Sequence, residues 1–199
     1  MDKYVKSIKN SLAEAIDFFR NPRKGERERW VACEFLRYLI QDLDIEDIKE
    51  SKQEPIDVTY KELEFQIKEI QSEGSRRGKE YNDKYKAITE QTEPSDLLEE
   101  YSPAHISIND VMPRLIAELQ RHRTKKYYNL TSDINVLVYL NLKDTTYNNI
   151  EVDYTLIGEE INNWLSVSVV TNNCAIVLNC NDSALELLNT NVGQLHIKN

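Results

Sequence analysis

Three side chains near the middle of the sequence have the types and spacing of a divalent-metal site. Asp57 opens a short apolar segment, and Gln66 and Lys68 lie in a second segment where apolar and polar residues alternate. Residues two apart in a strand project from the same face, and a tight turn between the segments brings Asp57 beside them. Carboxylate and amide oxygens are ligands for Mg²⁺, and an ammonium group orients water or neutralises a phosphate. The pattern predicts a metal-dependent phosphodiesterase in which Asp57 and Gln66 hold the metal and Lys68 lies near the attacking water.

Two other interpretations of these residues remain open at the level of sequence. Gln66 and Lys68 also fit the solvent-facing side of an ordinary amphipathic strand. Glu64 lies on the same side of that strand as Gln66 and is an alternative source of the acid.

Apolar periodicity predicts the elements that position these residues. Spacings of three and four residues predict helices over 2–19, 26–42, 76–89, 108–128 and 182–188. Alternating or continuous apolar runs predict strands over 56–60, 63–70, 134–140, 166–170 and 175–178. Ser107 and Asp110 have the spacing of a capping box at the start of the fourth helix. Helices and strands interleave without a regular repeat, so we expect an α/β fold with a mixed β-sheet flanked by helices.

The composition favours one domain and limits how it can bind nucleic acid. The chain has 199 residues and a net charge of −9. We expect a single domain over 1–199, with N-terminal helices in 1–45, a core in 54–143 and an acidic part in 144–199. The acidic part holds seven acids and one base. Contacts with nucleic acid must therefore come from local basic clusters, because the overall field is unfavourable.

The apolar runs and the cysteines exclude several other classes. No apolar run approaches the roughly 18–20 residues of a membrane helix, and no signal-peptide stretch follows the N-terminus, so we expect a cytoplasmic protein without membrane partners. The three cysteines are too few and too scattered for a disulfide scaffold or a zinc site, and we expect them to be small buried hydrophobes.

Local clusters of basic residues are the candidate contacts for a phosphate backbone. Arg76 and Arg77 directly follow the strand that carries Lys68 and are best placed to meet a scissile phosphate. The other candidate contacts are Arg23, Lys24, Arg121, Arg123, Lys125 and Lys126. Basic residues in a last helical turn are also favoured by the helix dipole, so the last four have a structural alternative.

The Asp57 and Gln66-x-Lys68 pattern resembles the PD-(D/E)xK superfamily of nucleases, in the Gln-containing variant similar to nucleases that act alongside transposases. The resemblance implies a restriction-endonuclease-like fold and hydrolysis of DNA with Mg²⁺ or Mn²⁺. It also implies a glutamate from an upstream helix, for which Glu34 is the candidate, although Glu34 could instead pair with Arg37. The segments 23–30, 66–70 and 73–77 resemble a bacterial family catalogued as putative endonucleases of unknown function (DUF1780).

Two functions from different classes are compatible with these residues. The first is a Mg²⁺-dependent nuclease that hydrolyses DNA phosphodiester bonds with Glu34, Asp57, Gln66 and Lys68. The second is a catalytically inactive module of the same fold that binds a nucleic acid, or that binds a protein or a second copy of itself through its acidic C-terminal third. The spacing of Asp57, Gln66 and Lys68 favours the nuclease, and the distribution of charge favours the module.

Overall fold

The structure, a computed structural model, describes most of the chain. The residues described are 2–74, 77–90, 102–126, 130–147, 152–156, 158–181 and 186–197. Residues 182–185, the first half of the helix predicted over 182–188, lie outside these residues.

The helices and longer strands agree with the apolar periodicity to within a few residues. The helices are Asp2–Phe18 (α1), Lys24–Leu39 (α2), Arg77–Glu90 (α3), Ile108–Lys126 (α4) and Glu186–Asn189 (α5). The strands are Ile48–Glu50 (β1), Val58–Tyr60 (β2), Leu63–Gln71 (β3), Ala104–Ile106 (β4), Asn135–Asn141 (β5), Thr145–Tyr147 (β6), Ser166–Val170 (β7), Cys174–Cys180 (β8) and Leu195–Ile197 (β9). The sequence prediction missed β1, β4, β6 and β9, which have only three residues each.

Seven of the strands form one mixed sheet, in the order β1-β2-β3-β5-β7-β8-β9. The central strands β3, β5 and β7 are parallel, and every other neighbouring pair in the sheet is antiparallel. Strands β4 and β6 form a separate parallel pair. The predicted α/β class with a mixed sheet is therefore confirmed.

Helices cover both faces of the sheet. On one face α2 packs its Phe35 edge-on against Phe65 of β3, with ring centroids 5.9 Å apart. On the other face Met112 and Leu115 of α4 share a core with Val136 of β5. All residues of β5 from Asn135 to Leu140 are buried, as a central strand covered on both faces requires.

Helix α4 begins at the predicted capping box. The backbone N–H of Ser107 donates to Asp110 Oδ2 at 2.8 Å, and the hydroxyl of Ser107 accepts from the N–H of Asn109 at 3.1 Å. These bonds satisfy backbone groups that the first helical turn leaves without partners. Helix α4 thus starts at a defined residue.

In the part of the chain that the structure describes, no helix has the length and apolar character needed to cross a membrane.

Candidate active site

Asp57 is fixed at an edge of β3 by two backbone interactions. The pairing of β2 with β3 ends at Val58 and Phe65, and the N–H of Asp57 then donates to the carbonyl of Phe65 at 2.9 Å. One residue pair further on, Oδ2 of Asp57 accepts from the N–H of Ile67 at 2.8 Å. A side-chain carboxylate therefore takes the place that the next carbonyl of β2 would occupy.

Helix α2 brings a second carboxylate, Glu28, to the same place. The ammonium of Lys24 lies 2.8 Å from Glu28 Oε1 and 3.3 Å from Asp57 Oδ1. The side chains of Glu28 and Asp57 are only 13% and 16% exposed. Two partly buried carboxylates thus share one ammonium group.

The pKa directions in this cluster follow from burial and from the two carboxylates. Burial raises the pKa of Glu28, and the hydrogen bond and charge of Asp57 raise it further against the opposing effect of Lys24. Partial burial acts to lower the pKa of Lys24, but the two carboxylates outweigh it and raise that pKa. The cluster therefore favours the charged form of Lys24 and disfavours full ionisation of Glu28.

Lys68 and His122 line a depression that also contains Glu28 and Lys24 of the carboxylate cluster. The depression has a volume of about 330 Å³ and is lined by α2, β3 and the C-terminal half of α4. Nε2 of His122 lies 2.9 Å from Oε1 of Glu118. Burial lowers the pKa of His122 and the charge of Lys68 lowers it further, so His122 is neutral at pH 7. A neutral imidazole beside an ammonium provides a proton acceptor in the depression.

Gln66, the other predicted metal ligand, is buried, and only one end of its amide group has a hydrogen-bond partner among the described residues. Its side chain is 1% exposed, and its Nε2 donates to the carbonyl of Pro55 at 3.0 Å. A carbonyl only accepts, so this bond fixes which end of the amide faces Pro55. Oε1 is buried and has no hydrogen-bond partner among the described residues. The described lining of the depression includes Lys68 but not Gln66. A buried acceptor without a partner is costly, which makes Oε1 a site for a cation or a water molecule.

Glu34, the candidate for the upstream glutamate, lies in a different depression from Glu28. Glu34 accepts a hydrogen bond from Arg37 and lies in a separate depression with Tyr38 and His196. Six residues separate Glu28 from Glu34, which turns a helix through about 600° and places them on different sides. The pairing of Glu34 with Arg37, which was the alternative, is what the structure contains.

Sequence analysis missed Glu28, although a signal for it exists. Val31, Ala32 and Phe35 are buried on α2, at i+3, i+4 and i+7 from Glu28. A carboxylate at the end of the buried stripe of a helix is the pattern that identifies it. Glu64, the alternative acid on β3, is exposed.

Several of the predicted phosphate contacts are occupied by carboxylates. Arg23 pairs with Asp17 at 3.0 Å and with Glu26 at 3.4 Å. Arg123 makes two hydrogen bonds of 2.8 Å to Glu160, in which both ends of the guanidinium fork are used. Arg123 therefore links α4 to the segment before β7, and its predicted contact with phosphate stays a prediction.

The remaining basic candidates divide between the site and its surroundings. Lys24 lies within the carboxylate cluster, and Arg121 lines the depression while bonded to Glu118. Lys125 is exposed at the end of α4. Arg76 and the side chains of Arg77 and Lys126 lie outside the described residues.

The donor set is small. Within the described ranges, no group of three or more His, Cys, Asp or Glu side chains is close enough to hold a metal ion. Two carboxylates, Glu28 and Asp57, lie around the ammonium of Lys24 before β2, and Gln66 contributes a buried amide oxygen on β3.

Comparison with known proteins assigns the chain to a family. A family model described as "Putative endonuclease, protein of unknown function (DUF1780)" matches residues 2–199, and the chain belongs to that family. No curated protein matches the sequence. A solved protein of unknown function from Pseudomonas aeruginosa, described as a member of the monooxygenase superfamily, has the same fold with a TM-score of 0.66. It is 24% identical, and the match covers 99% of this chain and 95% of that one.

Proposed function

We propose that this protein is a metal-dependent phosphodiesterase that hydrolyses DNA at the depression between α2, β3 and α4. The observation that carries the proposal is the pair of partly buried carboxylates, Glu28 and Asp57, which share the ammonium of Lys24. Glu28 and Lys24 line the same depression as Lys68. The description of the family as endonucleases and the resemblance of Asp57 and Gln66-x-Lys68 to PD-(D/E)xK nucleases agree with it. Glu28 takes the role that the resemblance gave to Glu34.

The donor atoms fit Mg²⁺ or Mn²⁺. Both cations prefer oxygen ligands, and Glu28 and Asp57 offer carboxylate oxygens while Gln66 offers a buried amide oxygen without another partner. A divalent cation held there would polarise a phosphoryl oxygen and lower the pKa of a bound water. Partial burial strengthens the attraction between the carboxylates and a cation.

The other side chains of the depression supply the remaining requirements of hydrolysis. A phosphodiester resists attack because it is negatively charged, so cationic groups must lie near the scissile phosphate. Lys68 provides such a charge and orients water at the edge of β3. His122, which is neutral at pH 7, accepts a proton in the same depression. Glu118 orients the imidazole through its contact with Nε2.

The proposal is tested by cleavage of single- and double-stranded DNA in Mg²⁺ or Mn²⁺. Asp57→Asn removes a charged ligand while keeping an oxygen that accepts from the Ile67 N–H. Lys68→Met removes the positive charge and keeps the length of the side chain. Each change should lower the cleavage rate by at least about a hundredfold, the usual loss for one such transition-state contact. Lys61→Met, in the exposed β2–β3 turn, is the matched control and should cleave like the wild type.

Cleavage that survives Asp57→Asn would contradict the proposal, because it would come from another site. Absence of cleavage in the wild type, with either metal and both forms of DNA, would favour the inactive module that binds a partner through the same fold.

A further inference from the structure

The depression that contains Glu28 and Lys68 continues into a second one. The second depression has a volume of about 420 Å³, within the roughly 300–1,000 Å³ of sites that hold small molecules. Four aromatic side chains line both depressions: Phe18, Phe19, Trp30 and Tyr139. The two depressions therefore form one aromatic groove that leads away from the carboxylates.

The aromatic rings of this groove are held in place by their neighbours. Trp30 is 39% exposed and meets Tyr139 edge to face, with ring centroids 5.4 Å apart. Phe19 stacks on Tyr81 at the same centroid distance, with only 9° between the ring planes. Braced rings offer a flat partner a contact surface at little cost in side-chain entropy.

Arg27 lines the groove, and its guanidinium donates hydrogen bonds to backbone carbonyls. Its guanidinium donates to the carbonyl of Phe18 at 2.9 Å and to that of Arg20 at 2.6 Å. These bonds join the end of α1 to α2 and set the position of Phe18 and Phe19. The charge of Arg27 is thus used within the protein.

Charge along the groove is balanced rather than basic. Among the described residues that line it, acidic and basic side chains are equal in number. Binding of duplex DNA depends on basic residues that neutralise many phosphates and release their counterions. Stacking of a base on an aromatic ring needs no such excess of positive charge and accepts every base. The groove therefore suits unpaired bases better than a duplex backbone.

We propose that the aromatic groove binds an unpaired nucleobase of single-stranded DNA, which stacks on Trp30 next to the scissile phosphate. This inference rests on the proposed function and specifies its substrate class. The polar far end of the groove, with Asn141 and Lys143, provides hydrogen-bonding groups for the edge of the base or its sugar. Single strands, frayed ends and flaps are then the substrates, and an intact duplex is a poor one.

The test measures binding without hydrolysis, in EDTA, by anisotropy of a labelled single strand and of the matching duplex. The single strand should bind at least tenfold more tightly than the duplex. Trp30→Ala should weaken single-strand binding by about tenfold or more, the scale of losing one stacked base. Trp30→Phe should restore most of the affinity, and Trp30→Leu should not, because leucine fills space without a π face. Tyr154→Ala, which alters an exposed ring outside the groove, is the matched control.

Intrinsic fluorescence provides a second readout of the same contact. The chain has two tryptophans, and Trp164 is fully buried, so quenching by an added single strand reports on Trp30. Quenching by oligonucleotides should be lost in Trp30→Phe. Equal affinity for duplex and single strand, or unchanged affinity in Trp30→Ala, would overturn the inference.

The two proposals fail in different ways. Tight binding of single strands that depends on Trp30, without any cleavage in the presence of Mg²⁺ or Mn²⁺, would support the proposed groove and contradict the proposed hydrolysis. Cleavage that depends on Asp57, prefers duplex DNA and is unchanged by substitution of Trp30 would support the proposed hydrolysis and contradict the proposed groove.

Discussion

Two depressions along helix α2 contain similar side chains but balance their charges differently. Beside the depression that contains His122, Glu28 and Asp57 share the ammonium of Lys24. In the depression that contains His196, Glu34 pairs with Arg37 one helical turn away, and the guanidinium is half exposed. Each depression also contains a histidine. The two depressions therefore have similar types of side chain, but they differ in how many carboxylates share one cation.

Under the proposed function, this difference determines which depression attracts the metal ion. The i, i+3 ion pair Glu34–Arg37 matches one carboxylate with one cation and contributes little to stability. Two carboxylates that share one ammonium leave a negative charge in partly buried surroundings, where a divalent cation is favoured. A divalent cation would therefore offset the repulsion between Glu28 and Asp57.

The largest expected effect comes from making the same substitution in both depressions. Glu28→Gln should reduce DNA cleavage by at least about a hundredfold, because it removes a charged ligand from the proposed metal site. Glu34→Gln, on the same helix, should leave cleavage within about twofold of the wild type, since surface changes away from a site have small effects. Initial rates at saturating metal compare the two. Equal losses, or a larger loss for Glu34→Gln, would reverse the assignment of the site.

A smaller effect is expected from removing the cation of each depression. Lys24→Met removes an ammonium that competes with metal for Glu28 and Asp57. It should tighten binding of Mn²⁺ by about tenfold, which corresponds to about 1.4 kcal/mol. Arg37→Met should leave Mn²⁺ affinity unchanged. Titration calorimetry without DNA measures both, and weaker Mn²⁺ binding by Lys24→Met would show that Lys24 supports the metal site.

The smallest expected effect is on stability and its dependence on pH. The pKa of Glu28 is raised in the folded protein above its ordinary value, near 4.3 in unfolded chains. The folded state therefore binds more protons between these two pKa values, so this group makes the protein less stable as the pH rises through that window. Glu28→Gln removes the effect and should stabilise the metal-free protein at pH 7 by roughly 0.5–2 kcal/mol.

Urea unfolding in EDTA between pH 4 and pH 8 measures this difference. The gap in unfolding free energy between Glu28→Gln and the wild type should widen as the pH rises. A gap that shrinks would mean that Lys24 lowers the pKa of Glu28 more than burial and Asp57 raise it. That result would contradict the inferred excess of carboxylates over cations in the cluster of Glu28, Asp57 and Lys24.

Local signals were sufficient to predict most of the fold. The continuous apolar run in β5 identifies a strand that is covered on both faces, and the spacing of Ser107 and Asp110 identifies the start of α4. Strands β1 and β9 could not be predicted in this way, because three residues are too few to show an alternation. They form against the outer edges of β2 and β8, which is a property of the assembled sheet.

The candidate site was predictable only where its residues are close in the sequence. Asp57 directly precedes β2, and a short turn joins β2 to β3, so the spacing fixes the contact between Asp57 and Ile67 of β3. Glu28 and His122 come from helices on opposite faces of the sheet and meet Lys68 only through tertiary packing. The choice between Glu28 and Glu34 depended on the rotation of α2 about its axis, which its buried stripe determines.

The hydrogen bond from the Ile67 N–H to Asp57 gives the protein a built-in spectroscopic probe. This amide donates to a titratable side chain rather than to the carbonyl of a neighbouring strand. Its ¹⁵N and ¹H resonances, and the rate at which its hydrogen exchanges with solvent, therefore depend on the electron density of that carboxylate. A cation that binds Asp57 would change the chemical shifts of the Ile67 amide, while the chemical shifts of amides in the distant strand β8 would not change. One cross-peak in the middle of a nine-residue strand thus reports on the ionic state of the depression.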